Sequence, residues 1–226
     1  MPTTTTAEIE STRGDFGRGV YSLPELRAFV GFDGTPADAA QTRKWLAKVL
    51  NPVEHRPWAA DYSFSDLVSL FVVRELLRRG VHPHTIREAE GFLRDLLRID
   101  RPFVYEDIKT DGFNIFYRDE VIPTQIEQAS GRKGQQVLRA TISDLLTSVK
   151  YTDGTAAYWT PADGILVDPR VQFGDPVIAG TRVPTEAAAE TADRYGIERA
   201  AHQLRVNVGA IRAAVAFEHK LAGVYR

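Results

Sequence analysis

Residues 173–185 read FGDPVIAGTRVPT, and this stretch decides how the C-terminal part of the chain is interpreted. Turn residues at Asp175 and Gly180 predict two tight turns, and the apolar run between them predicts an anchor in the core. Pro184 then predicts the first turn of a helix. A phosphate-binding loop is excluded, because five residues rather than four separate Gly174 from Gly180 and no lysine follows in the required place. The stretch therefore introduces a helical unit.

Three alanine-rich segments with helical spacing follow this stretch, at residues 184–195, 197–204 and 207–222. Gly196 and the segment RVNVG interrupt the pattern between them. A three-helix unit of this size buries only a small core of its own. We therefore expect it to dock on the middle of the chain or on a partner.

The N-terminal part predicts a helix-turn-helix that is followed by a longer helix. Ser22 precedes a helical pattern as its N-cap, and QTRKWLAKVL at 41–50 predicts the second helix. Two prolines in NPVEHRPWAADYSF at 51–64 favour a small β-wing over a helix. SFSDLVSLFVVRELLRRG at 63–80 predicts a long amphipathic helix that Gly80 ends.

Aspartate-glycine pairs predict two hairpins in the middle of the chain. The residues around Asp111-Gly112 and around Asp153-Gly154 are rich in β-branched and aromatic side chains, as in strands joined by a tight turn. The segment GQQVLRATISDLL at 134–146 has helical spacing but is also compatible with a strand. We interpret the aromatic side chains of this region as sheet packing rather than as a platform for stacking nucleobases.

These patterns predict an α+β protein with an N-terminal winged helix-turn-helix, a small β-containing middle module and a C-terminal trihelical helix-turn-helix unit. The threonine-rich N-terminal residues have no periodicity, which predicts a flexible arm. The predicted segments are the flexible arm at 1–17, the winged helix-turn-helix at 18–100, the β-rich module at 101–164 and the trihelical domain at 165–226.

A long ordered motif, G-x-P-x-I-x-G-T-R-[IV]-P, is matched in full by the opening stretch. The matching positions are Gly174, Pro176, Ile178, Gly180, Thr181, Arg182, Val183 and Pro184. Together with the helical segments after it, this motif resembles the signature and the trihelical domain of VapB-type antitoxins. The resemblance implies a partner, a VapC-type PIN-domain ribonuclease whose magnesium-binding acidic site the antitoxin blocks.

Residues 18–95 resemble the winged helix-turn-helix of MerR-type regulators. The matching positions are Tyr62, Ser63, Asp66, Leu67, Gly80 and Ile86. The chain has no cysteine and no long dimerising coiled coil follows the match, so a metal- or redox-responsive activator is not implied. The two resemblances together imply an antitoxin of a type II toxin-antitoxin system that also represses its own operator. A stand-alone MerR-like transcriptional regulator, whose middle module senses a small molecule, remains the alternative.

Side chains suited to DNA contact gather on the second predicted helix, because glutamine reads adenine, arginine reads guanine and lysine contacts phosphate. The candidate DNA contacts are Gln41, Thr42, Arg43, Lys44 and Lys48 on this helix, with His55 and Arg56 in the predicted wing. A second candidate surface, for DNA or for a partner, consists of Arg205, Asn207 and Arg212. A solvated helix face explains the same charges, and that alternative stays open.

The implied inhibition of a ribonuclease calls for a mobile cation, since an arginine fork matches the geometry of a carboxylate cluster. The candidates are Arg226, with Tyr225 as an apolar anchor beside it, and Arg13 and Arg18 in the N-terminal arm. Arg182 lies within the signature, and we interpret it as a structural residue of the turn.

Composition excludes several classes of function. A net charge of −2 excludes a protein that coats nucleic acid through bulk charge, so any DNA site is local. The absence of cysteine excludes disulfides and thiolate metal sites, and no motif supplies a catalytic constellation. We therefore expect no enzyme activity, no cofactor and no bound metal.

Hydropathy predicts a cytoplasmic protein without membrane contact, because the sequence contains neither a bilayer-spanning apolar run nor the pattern of a signal peptide. Helix-turn-helix modules commonly pair over two half-sites of an operator. We therefore expect a homodimer or a toxin-antitoxin hetero-oligomer.

Overall fold

The chain has a mixed helical and sheet fold of the α+β class, as the sequence predicts. The structure is a computed structural model, and it describes residues 19–32, 39–50, 62–110, 115–117, 120–121, 140–141 and 146–225. The α-helices in these ranges are α1 (Leu23–Val30), α2 (Ala39–Lys44), α3 (Phe64–Arg78), α4 (Pro83–Leu97), α5 (Thr185–Tyr195), α6 (Ile197–Leu204) and α7 (Val208–Tyr225). A π-helical segment, Trp45–Val49, continues α2, and 3₁₀ turns occur at Pro102–Val104 and Gln172–Gly174.

All strand pairs among the described residues are antiparallel. The strands are β1 (Ile108–Thr110), β2 (Ile115–Tyr117), β3 (Glu120–Val121), β4 (Ala140–Thr141), β5 (Val149–Thr152), β6 (Thr155–Trp159), β7 (Ile165–Leu166) and β8 (Val177–Ile178). One sheet has the strand order β3-β2-β1-β4, whereas β5-β6 and β7-β8 form two separate pairs.

The hairpin predicted at Asp153-Gly154 is confirmed. These two residues connect β5 to β6, and their φ angles are 51° and 78°. A two-residue hairpin turn requires such left-handed backbone, which aspartate tolerates and glycine adopts freely. The other predicted hairpin pairs β1 with β2, although Asp111 and Gly112 at its turn lie outside the described residues.

The segment at 134–146 contributes a strand where it is described. Ala140 and Thr141 pair with Thr110 and Lys109 of β1. The helical interpretation is therefore wrong for these two residues, because pairing with a neighbouring strand outweighs local helical spacing.

Serine caps begin α1 and α3, and the cap predicted at Ser22 is confirmed. The Ser22 hydroxyl accepts a hydrogen bond from the Glu25 backbone N–H at 3.4 Å, and the Glu25 carboxylate accepts from the Ser22 N–H at 2.6 Å. Ser63 and Asp66 form the same reciprocal pair, at 3.2 Å and 2.8 Å. Each pair provides acceptors for two backbone N–H groups that have no partner within the helix, and this fixes where the helix begins.

An aromatic cluster joins the three predicted domains in one continuous core. The ring of Trp159, on β6, lies 5.4 Å from that of Phe29 and 5.1 Å from that of Phe71. Phe32, just after α1, lies 4.9 Å from Phe217 on α7. The C-terminal unit therefore docks on the N-terminal helices as well as on the middle of the chain, which supplies the core that it cannot build alone.

Arg101 forms a buried ion-pair network that joins α3 to α4. Its guanidinium donates to Asp66 Oδ1 at 2.8 Å and to Glu90 Oε1 at 3.1 Å. The side chains of both acids are fully buried, and that of Arg101 is 6% exposed. Asp66 thus takes part in the capping box of α3 and also forms the ion pair that connects this helix to the segment after α4.

Candidate functional site

The signature folds as a hydrogen-bonded turn between β8 and α5. The Thr181 hydroxyl donates to the Ile178 carbonyl at 2.7 Å and accepts from the Val183 N–H at 3.1 Å. The backbone N–H of Ile178 in turn donates to the Val183 carbonyl at 2.9 Å. Gly180 has a φ of 77°, the left-handed geometry that favours glycine at the tip of such a turn. The tight turn predicted at Gly180 is confirmed.

The start of the signature is fastened to the N-terminal part of the chain. Tyr21 is buried, and its hydroxyl donates to the Gly174 carbonyl at 3.1 Å. The Val20 N–H donates to the Phe173 carbonyl, also at 3.1 Å. Burial is the largest cause that raises the pKa of Tyr21 far above its ordinary value, so the hydroxyl stays protonated and able to donate.

Three consecutive residues before the signature turn have left-handed backbone: Gln172, Phe173 and Gly174, with φ angles of 46°, 54° and 93°. Such geometry is strained for the two residues that carry a side chain. The ring of Phe173 is nevertheless 78% exposed. An exposed aromatic residue on strained backbone is a candidate contact residue. The sequence alone does not reveal it, because the sequence pattern does not distinguish an exposed phenylalanine from a buried one.

A cleft of about 480 Å³ lies between the signature turn and the α6–α7 connection. Ile178 and Thr181 line it from the signature, and Arg205 and Asn207 line it from the connection. The structure thus brings Arg205 and Asn207, two of the three residues of the second candidate surface, next to the motif, and we call this place the signature cleft. The signature turn and the connection between the last two helices meet here.

The residues of the second candidate surface have unequal freedom. Asn207 caps α7, since its Oδ1 accepts from the Ala210 N–H at 2.7 Å. Arg205 ends α6 in left-handed backbone, with a φ of 56°, and its side chain is exposed. Arg212 lies 3.7 Å from Glu198, and both side chains are well exposed, so solvent screens the pair. Arg205 and Arg212 therefore remain accessible to a ligand, whereas Asn207 shapes the helix start.

The first candidate surface is an exposed basic face on α2 and its π-helical continuation. Gln41, Arg43, Lys44 and Lys48 are exposed, as contact with DNA requires. Thr42 is fully buried. Thr42 is therefore removed from the set of candidate contacts, because its side chain lies on the inward face of α2 together with Trp45.

The end of this basic face is held by α4. The guanidinium of Arg87 donates to the Lys48 carbonyl at 2.9 Å. This bond fixes the backbone of the π-helical segment and leaves the Lys48 side chain in solvent. His55 and Arg56 of the predicted wing lie outside the described residues.

The candidate blocking residues are almost all beyond the part of the chain that the structure describes. Arg13, Arg18 and Arg226 lie outside it, and only the backbone of Tyr225 is placed, as the last residue of α7. The turn before it is anchored, because the Arg27 guanidinium donates to the Val224 carbonyl at 3.1 Å.

Acidic side chains surround the junction of α5 and α7. The Glu218 carboxylate accepts a hydrogen bond from the Thr185 hydroxyl. Burial raises the pKa of Glu218 more than this bond lowers it, and the nearby Glu186 raises it further. Burial likewise raises the pKa of Asp175 in the signature, with Glu25 and Glu186 adding to the effect. These carboxylates are therefore less stable in their charged form than they are in water.

We expect Glu218→Gln to stabilise the protein at pH 7. A carboxyl whose pKa is raised on folding holds its proton more tightly in the folded state, so the free energy of unfolding falls as pH rises through the raised value. The amide retains an oxygen for Thr185 and carries no charge. Urea unfolding should show the gain at pH 7 and lose it below a pH of about 4, where the native carboxyl is protonated.

Glu190→Gln, on the exposed face of α5, is the matched control and is expected to change stability little at either pH. A gain from Glu218→Gln that is equal at both pH values would contradict the electrostatic explanation.

No family model matches this chain, and no curated protein matches it. Among solved structures, the crystal structure of Rv2018 from Mycobacterium tuberculosis is similar, with a TM-score of 0.59 and 15% sequence identity. The match covers 86% of this chain and 96% of that one. At this identity the similarity shows a shared fold alone.

Two further observations concern the described ranges only. No helix within them is both long and apolar enough to cross a membrane. No cluster of three or more histidine, aspartate and glutamate side chains suited to a metal ion occurs in them.

Proposed function

We propose that this chain is a VapB-type antitoxin that binds and inhibits a PIN-domain ribonuclease and represses its own operator. The observation that carries the proposal is the complete motif from Gly174 to Pro184 at the head of a trihelical unit. Its Thr181 hydroxyl and Gly180 backbone have defined structural roles in the turn, so the motif is explained as the device that positions α5. The antitoxin has no catalytic activity in this proposal.

Inhibition follows from charge complementarity. A PIN-domain active site is a cluster of carboxylates around magnesium, and a guanidinium competes with the metal for those oxygens. Arg226 directly follows α7, whose last turn is held by Arg27. Arg13 and Arg18 lie outside the described residues, and the sequence predicts a flexible arm at 1–17; such arms order on binding a partner. Arg205 adds an exposed cation to the lining of the signature cleft, and Phe173 and Arg212 are further exposed candidate contacts.

DNA binding is assigned to a winged helix-turn-helix at residues 18–100. In this assignment α2 and its π-helical continuation read the major groove with Gln41 and Arg43, while Lys44 and Lys48 contact phosphate. The local basic face suits a protein whose net charge is only −2, because affinity then depends on a few placed cations.

We expect Arg43→Ala combined with Lys44→Ala to abolish binding to the protein's own promoter. Lys44→Ala alone, which removes one phosphate contact, should weaken binding and reduce the slope of log affinity against log salt by about 1. Fluorescence anisotropy with promoter DNA at several salt concentrations measures both quantities. Arg205→Ala combined with Arg212→Ala is the matched control, with the same loss of charge and unchanged affinity. Loss of binding in the control alone would move the DNA site to the α6–α7 surface.

Co-expression tests the antitoxin proposal in cells. The PIN-domain ribonuclease that the proposal expects a neighbouring gene to encode is expressed alone, with the full chain, and with chains that lack residues 1–17 or 221–226. The full chain should restore growth and suppress RNA cleavage, and loss of rescue with one truncation should locate the blocking segment. Full toxicity with every chain, the intact one included, would refute the proposal.

Gene context separates this proposal from the alternative of a stand-alone MerR-like regulator. The antitoxin needs an adjacent gene for a PIN-domain protein, whereas the regulator needs none. Promoter binding alone does not distinguish the two, since both functions include it.

A further inference from the structure

A second cleft, of about 440 Å³, lies where the N-terminal helices, β6 and α7 meet. We call it the aromatic cleft and define it by Phe29, Phe32, Phe71, Trp159, Arg78 and Lys220. Its size falls within the range of pockets that bind small organic molecules. It lies apart from the signature cleft and from the basic face of α2, so it belongs to neither candidate surface described above.

The floor of the aromatic cleft is built from rings that hold one another in place. Trp159 contacts both Phe29 and Phe71, and its ring is nearly perpendicular to that of Phe32, with 6.0 Å between centroids. All four residues belong to the buried core, and none is more than 5% exposed. The floor is therefore rigid and does not need to rearrange when a planar body lies against it.

The rim of the cleft is cationic. Lys220 lies on α7 with its ammonium nitrogen 4.1 Å from the centroid of the Phe32 ring, a cation-π contact that holds this charge at the opening. Arg78 lines the same cleft from α3, and its side chain is 57% exposed. The two charges thus face the same space from two different helices.

A single carboxylate, Glu75, is present among the lining residues, against three cations. Its Oε1 accepts from Arg74 and from Arg78, at 3.2 Å in each case. Arg74 also donates to the Val30 carbonyl at 2.5 Å and is largely buried, so it serves the protein's own structure. The ion pairs offset one positive charge, and an excess of positive charge remains at Lys220 and Arg78.

We propose that the aromatic cleft binds a small organic anion. Its planar apolar body lies against the edges of Trp159 and Phe71, and its carboxylate or phosphate group lies between Lys220 and Arg78. Two convergent cations from separate elements provide charge-assisted hydrogen bonds that a neutral ligand cannot use. The bound anion links α3, β6 and α7, so it joins the N-terminal helices to the trihelical unit. This site does not depend on the antitoxin proposal.

Isothermal titration calorimetry on the full chain tests the site with naphthoate and naphthyl phosphate as probes. Naphthalenemethanol, of the same shape but without charge, is the neutral control. At least one anion should bind saturably with one site per chain, and about tenfold or more tightly than the alcohol, as expected for hydrogen bonds to charged groups. Absence of saturable binding by both anions, or equal binding of anion and alcohol, would overturn the proposal.

Variants then locate the site. Lys220→Gln and Arg78→Gln should each weaken binding of the preferred anion by about tenfold. Arg79→Gln, which removes the neighbouring exposed charge outside the cleft, should leave it unchanged. An equal loss in all three variants would mean non-specific attraction to positive charge, and no loss in the first two would place the anion elsewhere; either result refutes this site. Circular dichroism checks that each variant is folded, and the preference of the native chain for anion over alcohol needs no variant.

Discussion

Replacing Arg101 with methionine is expected to lower the free energy of unfolding by about 3–5 kcal/mol. Arg101 lies between two fully buried carboxylates, those of Asp66 and Glu90, at 2.8 Å and 3.1 Å. Methionine fills a similar volume but leaves the acids without the guanidinium that offsets their burial. Urea unfolding at pH 7 measures the loss.

Arg79→Met is the matched control, because Arg79 is exposed at the end of α3 and its replacement should change stability by no more than about 0.5 kcal/mol. Glu90→Gln in the Arg101→Met background should restore part of the lost stability, since it removes one of the two buried charges. Equal, small losses in the Arg79 and Arg101 variants would show that the network contributes nothing beyond surface charge.

Gly174→Ala is expected to destabilise the protein by about 2–5 kcal/mol, through two causes that add. A φ of 93° is strained for any residue with a side chain, at about 1–3 kcal/mol. An alanine Cβ at this position also lies 2.2 Å from the Tyr21 hydroxyl oxygen, a clash within a buried site. Thermal or urea unfolding measures the combined effect.

Gly196→Ala separates the two causes. Gly196 has a similar φ of 86°, but nothing lies within 4 Å of a Cβ added there, so only the backbone strain remains. In addition, Tyr21→Phe should lessen the effect of Gly174→Ala, because it removes the atom that clashes most closely. Equal losses at the two glycines would contradict the proposed contact between the signature and Tyr21.

Local structure was the part of the fold that the sequence predicted well. Ser22 and Ser63 cap their helices because the partner that each cap needs, Glu25 or Asp66, lies three residues along the same chain. The turn at Asp153-Gly154 is likewise determined by two adjacent residues. The breaks between the alanine-rich helices occur at Gly196 and near Arg205, where left-handed or otherwise non-helical backbone ends the pattern.

Contacts between distant residues could not be predicted from spacing. The sequence shows that Phe32 and Trp159 are apolar and suited to a core. It does not show that these two side chains contact each other across the predicted domain boundaries. For the same reason, sequence spacing could not predict the ion pair of Asp66 with Arg101 or the hydrogen bond of Tyr21 to the signature. Thr42 was misplaced because a threonine on an amphipathic helix fits either face, and its burial depends on the packing of α2.

The candidate functional surfaces likewise include features that the sequence predicts and features that only the fold reveals. The sequence predicted Arg43, Lys44 and Lys48 as exposed cations of one helix, which needs no tertiary information, and they are exposed. Their contact with DNA stays a prediction. The signature cleft required the fold, because it depends on how the signature turn and the α6–α7 connection come together. The exposure of Phe173 required it too, because it depends on the left-handed backbone at residues 172–174.

The most direct test of the central proposal is an RNA cleavage assay. It uses the purified PIN-domain ribonuclease that the proposal expects a neighbouring gene to encode, with magnesium present, while this chain is titrated in. We expect cleavage to fall in proportion to the added chain and to stop at a fixed stoichiometry, with the two proteins eluting as one complex. Full ribonuclease activity in the presence of excess chain, with the two proteins eluting separately, would contradict it.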